Sequence, residues 1–227
     1  SPIALIGGGK DAAPGEISLA HLGVLFLDEL PEYPRSALES LRQPLEDKQI
    51  SIARANLKTT YPANFMLIAT MNPCPCGYLG DKTHACTCTD AQIQAYQKKL
   101  SGPLLDRIDL FVEVDRIKSS ELTKNTQNTG EHNVVKNNIT EAINRQHLRY
   151  HDQYTYNSDI TSYQASVMLK ISNSAKSLLN TAADSLALSS RSYFKIIKTA
   201  QTIADMDGQN EITDAHITEA LSFRKKS

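Results

Sequence analysis

The stretch Gly23-Val24-Leu25-Phe26-Leu27-Asp28-Glu29-Leu30 decides how this chain is read. Four consecutive apolar residues, with β-branched Val24 and aromatic Phe26 among them, predict a fully buried strand of a parallel sheet, and two adjacent carboxylates follow directly. Open α/β sheets bind ligands at the carboxyl ends of their strands, so Asp28 and Glu29 stand where chemistry would be done. A buried strand followed by a solvated acidic turn is the plainer alternative, and the surrounding sequence has to choose between them.

Outward from that strand, Phe65 to Thr70 reads as a second buried strand running into Met71-Asn72-Pro73, and Leu110 to Val114 as a last one. Gln49 to Ala55 alternates apolar and polar residues, meets Asn56 and resumes from Leu57 to Tyr61, the pattern of a β-hairpin. Strand, helix and strand in succession predict a parallel α/β sheet. Beyond Arg116 the character changes, because from Ile117 onward there is no proline and only two glycines, Gly130 and Gly208. That part is expected to be helical, over 134–151, 174–188, 191–205 and 213–223, the last with Thr213 as N-cap. Residues 191–205 carry apolar side chains at Tyr193, Phe194, Ile196, Ile197, Ala200 and Ile203, a strongly amphipathic set. The polar run Lys124 to Gly130 suits a linker. The expected domains are an α/β core over 1–116 and an all-α domain over 117–227.

With 227 residues, 41% of them hydrophobic, the chain can bury one large core or two smaller ones. Its formal net charge of −1 supplies no global basic field, so any contact with a polyanion must be local. No apolar run is long enough to span a membrane, and the opening Ser-Pro-Ile-Ala lacks the features of a signal peptide. A cytoplasmic location without membrane contact is expected. All four cysteines fall in one segment, Cys74-Pro-Cys76, then nine residues, then Cys86-Thr-Cys88. In a reducing compartment such clustering favours metal over disulfides, and two thiolate pairs suit tetrahedral Zn²⁺, with His84 as a possible substitute ligand and metal-free thiols as the alternative.

In nucleotide-hydrolysing enzymes a buried strand ending in Asp-Glu is the Walker B element. Together with a second strand ending in Asn72 and the tripeptide Asp106-Arg107-Ile108, it makes the chain resemble the AAA+ ATPases, most closely the magnesium-chelatase-like branch and its ComM/YifB family. The segments P-G-E-I-S-L-A-H, L-F-L-D-E-L-P-E, R-Q-P-L-E-D, M-N-P-C-P-C-G-Y-L-G-D and L-S-G-P-L-L-D-R-I-D-L, spanning Pro14 to Leu110, carry that resemblance. It implies a partial AAA+ P-loop NTPase core with β-hairpin inserts, followed by a helical lid. The P-loop itself, G-x-x-x-x-G-K-[ST], is not matched: Gly7-Gly8-Gly9-Lys10 lacks a glycine at the required distance and continues with Asp11. We therefore expect a C-terminal fragment of a longer protein, inactive by itself towards ATP.

The resemblance implies a role for each of several residues. Asp28 belongs to the Mg²⁺ shell, Glu29 to the attacking water, and Asn72 to a sensor of that water or of the γ-phosphate of ATP. An Asx cap before Pro73 is the local alternative for Asn72. Arg107 corresponds to the arginine finger that reaches the next subunit, against an intrachain pair with Asp106 or Asp109. Arg191 corresponds to a second sensor, against a solvated arginine in the first turn of a helix. Ile3 to Leu19, with its tip near Lys10 to Gly15, and Gln49 to Tyr61 resemble hairpins that line the pore of ring-shaped relatives. Lys10, Arg54 and Lys58 are then candidate DNA contacts, or ordinary surface charges. The implied assembly is a homo-hexamer acting as an ATP-driven motor on single-stranded or branched DNA, a branch-migration helicase in transformation and recombination. The alternative is the ATPase subunit of a magnesium-chelatase-type remodelling complex. Chelatase subunits resemble this chain in L-L-D-R but run without C-P-C-G and C-x-C.

Overall fold

The chain is described by a computed structural model over residues 2–9, 11–54, 57–114 and 129–225. It separates into two compact units, Ser1–Ile108 and Asp109–Ser227, each with its own apolar core.

The first unit opens with helix α1 (Pro2–Ile6), a small antiparallel pair β1 (Gly7–Gly8) and β2 (Ala13–Pro14), and helix α2 (Glu16–Leu19). The hairpin expected over Ile3 to Leu19 is thus confined to 7–14 and flanked by helices. Gly7 has φ +97°, and a Cβ there would lie 2.2 Å from the Ala13 carbonyl oxygen, so only glycine admits this close crossing. Gly7 and Gly8 belong to a strand, and not to a loop cradling phosphate before a helix. Strand β3 (Val24–Leu27) follows, then a 3₁₀ turn over Leu30–Glu32 and helices α3 (Arg35–Ser40) and α4 (Arg42–Asp47). The expected hairpin is present as β4 (Gln49–Arg54) and β5 (Leu57–Pro62), and β6 (Met66–Ala69) pairs with β3 in parallel. Helices α5 (Asp90–Gln97) and α6 (Gly102–Leu105) complete the unit.

The strands β3 and β6 are not buried on both faces. Leu25 and Leu27 enter the core with Leu30, Leu38, Leu41, Ile50 and Ile52, whereas Val24 and Phe26 are 55% and 57% exposed, as are Met66 and Ile68 beside them at 63% and 44%. Among the described residues this sheet has two strands, and its packing partners lie on one side only. Alternation replaces the expected continuous burial for that reason.

The second unit is helical: α7 (Thr129–Tyr150), α8 (Ser162–Met168), α9 (Asn173–Ser185), α10 (Ser190–Met206) and α11 (Asp214–Ser222). Helix α7 begins inside the run read as a linker, already at Thr129. A two-residue parallel pair, Lys170–Ile171 with Glu211–Ile212, ties the entry of α9 to that of α11. Thr213 caps α11 with its partner His216 in a reciprocal capping box. Leu110 to Val114 forms no strand. Its Phe111 N–H donates to the Phe223 carbonyl at 2.7 Å, a single bond where a ladder was expected. A buried polar network holds α7 to α10: Asp205, fully buried, accepts both outer nitrogens of Arg149, with Asn157 and Gln201 donating to the same carboxylate at 2.9 and 3.1 Å.

Candidate active site and metal centre

Parallel pairing sets Leu27 opposite Ala69, so Asp28 and Thr70 leave the sheet side by side. The ladder continues one step, with Thr70 N–H donating to the Leu27 carbonyl at 3.1 Å and Leu30 N–H to the Thr70 carbonyl at 2.8 Å. The Thr70 hydroxyl donates to Asp28 Oδ1 and accepts the Glu29 N–H at 3.0 Å. One side chain therefore fixes both acidic residues. Glu29 adopts the left-handed conformation, φ 50° and ψ 50°, which costs a non-glycine residue on the order of 1 kcal/mol. That bend drops Leu30 and Pro31 into the core and leaves the Asp28 and Glu29 side chains exposed.

Asn72 follows two residues after Thr70, at the same end of the same strand pair, and is exposed. Its backbone N–H faces Tyr96 of α5, which is 5% exposed. Burial raises the Tyr96 pKa; that N–H opposes the shift, and the carboxylates of Glu32 and Glu29 add to it. Asp28, Glu29 and Asn72 thus share one edge, with Tyr96 against it.

Arg107, in the turn after α6, is mostly buried. It pairs with Glu46 of α4 and donates through Nη1 to the Pro103 carbonyl at 2.7 Å. Asp109 instead meets Lys195 at 3.1 Å. Arg191 occupies the first turn of α10, in the other unit, so the two units divide the candidate residues. Lys58 is exposed opposite Ala53, and Arg54 closes β4 opposite Leu57, next to the hairpin's tip. Lys10 lies outside the described residues.

The four cysteines converge. Sγ of Cys74 lies 3.4 Å from that of Cys76 and 3.7 Å from that of Cys86, Cys76 and Cys86 are 3.6 Å apart, and all four sulfurs fall within 4.8 Å of one another. A tetrahedron of Zn–S bonds of about 2.3 Å has edges of about 3.8 Å, close to these separations, while a disulfide needs about 2.05 Å. All four thiols are free. Backbone N–H groups of Tyr78 and then Thr87 pull the Cys76 pKa down to about 5. The Cys88 N–H acts in the same sense on Cys86, yet burial and the crowded sulfurs outweigh it and push that thiol up to about 12. Burial also raises Cys88. Burial and crowding work against ionising Cys86 and Cys88, and a bound cation would supply the charge that favours their thiolates. It can hold a metal ion. His84 is turned away: it stacks on Tyr78 with ring centroids 5.1 Å apart, and its Nδ1 meets the Thr83 hydroxyl at 2.9 Å.

Three residues that matter here escaped the sequence reading. Thr70 was legible in principle, since parallel register places it beside Asp28. Tyr96 and Glu46 reach their partners across 24 and 61 positions, and no local pattern announces them.

Residues 1–122 match the family model described as magnesium chelatase, subunit ChlI, and residues 130–224 match that of the ChlI C-terminal domain. The chain belongs to the magnesium chelatase ChlI family. Within that family it is 42% identical over 223 residues to competence protein ComM of Haemophilus influenzae, which covers 97% of this chain and 42% of that protein. YifB of Escherichia coli is 41% identical over 222 residues, 97% of this chain and 43% of its own length. A more distant likeness, 23% over 221 residues, links it to the DNA replication licensing factor Mcm6 of Drosophila melanogaster, covering 94% of this chain and 26% of that protein. The chain spans about two-fifths of the length of ComM and YifB. Membership in the ChlI family makes it part of an AAA+-type ATPase family, with a mixed α/β region followed by a helical one. Among the described residues no helix is long and apolar enough to cross a membrane.

Proposed function

We propose that this chain is the Walker B, sensor and lid portion of a ring-forming, ATP-driven motor on DNA, one that moves branched strands during transformation and recombination. The observation that carries the reading is the shared strand end at which Thr70 holds Asp28 and Glu29 while Asn72 stands beside them. In that arrangement Asp28 binds Mg²⁺ through its water shell, Glu29 polarises the attacking water and Asn72 senses it or the γ-phosphate. Arg107 serves the neighbouring subunit of a hexamer once released from Glu46, and Arg191 contacts the nucleotide from the lid. Lys10, Arg54 and Lys58 track the phosphate backbone in the pore. The four cysteines bind a structural Zn²⁺, a closed site without catalytic duty.

DNA as substrate is supported by the names of ComM, a competence protein, and Mcm6, a DNA replication factor. A chelatase-type remodeller is the second reading, favoured by the family's own description. ATP turnover by the full-length protein, with and without single-stranded and forked DNA, separates the two. Stimulation by DNA and ATP-dependent branch migration are expected, with Glu29→Gln binding ATP but losing hydrolysis. Robust hydrolysis indifferent to any DNA would overturn the motor reading. The isolated chain is expected to show no turnover, because no phosphate-cradling loop leads into a helix among its described residues.

A further inference from the structure

The turn from Leu27 to Leu30 folds around a single residue of the neighbouring strand. The Thr70 main chain takes both ends of that turn: its N–H donates to the Leu27 carbonyl at 3.1 Å, and its carbonyl accepts the Leu30 N–H at 2.8 Å. The Thr70 hydroxyl works inside the turn. Its oxygen accepts the Glu29 N–H at 3.0 Å, and since an amide can only donate there, the hydroxyl's own proton goes to Asp28 Oδ1. The Glu29 N–H is shared and also reaches Asp28 Oδ1, at 3.1 Å. Three groups thus close a triangle in which one oxygen of Asp28 receives two donors. A carboxylate otherwise turns readily about its Cβ–Cγ bond, whose torsional wells are broad, and two donors on one oxygen remove that freedom. No described residue donates to Asp28 Oδ2 or to the Glu29 carboxylate, and both residues are exposed.

We propose that the two parts of Thr70 have separate tasks: its main chain builds the acidic turn, and its hydroxyl aims Asp28 so that Oδ2 is the oxygen presented to the water shell of Mg²⁺. The inference rests on the assignment of Asp28 to that shell. The residues present fit a hydrated divalent cation, because the acceptors left without a protein donor are carboxylate oxygens, hard ligands, at an exposed strand end. Thr70 is a positioning residue in this role and acts through Asp28. A β-branched side chain suits the task, since its χ1 is stiff and it sits well in a strand. Valine has the same shape without the hydroxyl, and serine has the hydroxyl without the second branch, so the two tasks can be separated.

The test measures the Mg²⁺ requirement of nucleotide binding by the full-length protein, with a fluorescent non-hydrolysable ATP analogue titrated across a Mg²⁺ series, beside ATP turnover and the thermal midpoint. Thr70→Val keeps both main-chain bonds and should melt like the wild type. The Mg²⁺ concentration for half-maximal binding should rise about tenfold in that variant, and kcat at the wild type's Mg²⁺ optimum should fall by a similar factor. Thr70→Ser, which keeps the hydroxyl, should stay near the wild type in both. In an Asp28→Asn background, Thr70→Val should add no further rise. An unchanged Mg²⁺ requirement in Thr70→Val would overturn the proposal, as would a serine variant impaired like the valine one, a lowered thermal midpoint that accounts for the loss, or a full additional rise in the Asp28→Asn background. If Asp28→Asn alone binds the analogue with the wild type's Mg²⁺ requirement, the assignment of Asp28 fails, and the inference with it.

Discussion

Replacing Asp205 by alanine should cripple the helical unit without touching its surface. The carboxylate is fully buried and accepts four hydrogen bonds, two from Arg149 and one each from Asn157 and Gln201. Asn157 is itself committed elsewhere: its Oδ1 accepts from Arg149 at 3.0 Å and from the Tyr150 hydroxyl at 2.7 Å, and its Nδ2 also donates to the Thr202 hydroxyl at 3.0 Å. It cannot turn to replace the lost acceptor. Removing one partner of a buried ion pair costs about 3–5 kcal/mol, because the other charge stays behind in low dielectric. Orphaned amides add about 1–3 kcal/mol each, partly recovered if water enters the vacated space. A net loss of about 4 kcal/mol corresponds to about a thousandfold in an opening equilibrium. Hydrogen exchange of the central α10 amides reads this directly, since those amides open with the unit's core. Asp205→Asn, which keeps the shape and loses the charge, should fall between the wild type and Asp205→Ala. A loss of protection below tenfold in Asp205→Ala would refute the reasoning and show that the network fits the helices together without stabilising them.

Other expectations concern the full-length protein. Arg107→Ala should abolish ATP hydrolysis, and mixing it with Glu29→Gln should restore a fraction, because each subunit type supplies what the other lacks across a boundary; mixed rings that assemble and stay dead would return Arg107 to its pair with Glu46. Arg54→Ala should weaken binding to all single-stranded DNA alike and flatten the dependence of log affinity on log salt by about 0.7 per lost contact; an unchanged slope across a salt series would make Arg54 a surface charge. Elemental analysis should find about one zinc per chain, lost in Cys86→Ser and on prolonged chelation, with exchange protection falling around Cys74 to Cys88; metal-free protein with the same protection would leave the thiols as packing only.

Much of this was legible from the chain alone. The paired strands and their acidic end followed from one apolar run, the hairpin from alternation, and the cysteine cluster from spacing. What escaped depends on contacts distant in sequence. Periodicity says that Val24 to Leu27 prefers a sheet, but not whether a second layer covers it, so the exposure of Phe26 was unforeseen. Leu110, Val112 and Val114 alternate like a strand and remain exposed, without a ladder to join among the described residues. Helix α8 is short and weakly patterned, although its Thr161-x-x-Gln164 capping box was there to be noticed. Arg107 was offered two aspartates nearby and took Glu46, from another helix, because burial of its guanidinium needs an acceptor within the packed turn and Asp109 is engaged by Lys195.

The open face of the β3 and β6 strands has a practical consequence at the bench. Val24, Phe26, Met66 and Ile68 make a greasy ribbon on a sheet that, among the described residues, has two strands and therefore two edges. Overexpressed in isolation, this stretch of polypeptide will be limited by solubility and not by its capacity to fold: it should bind the dye ANS while natively helical by circular dichroism, and come out of solution as concentration rises. Charged replacements at Val24 and Met66, which point away from the core, are where a soluble version would begin.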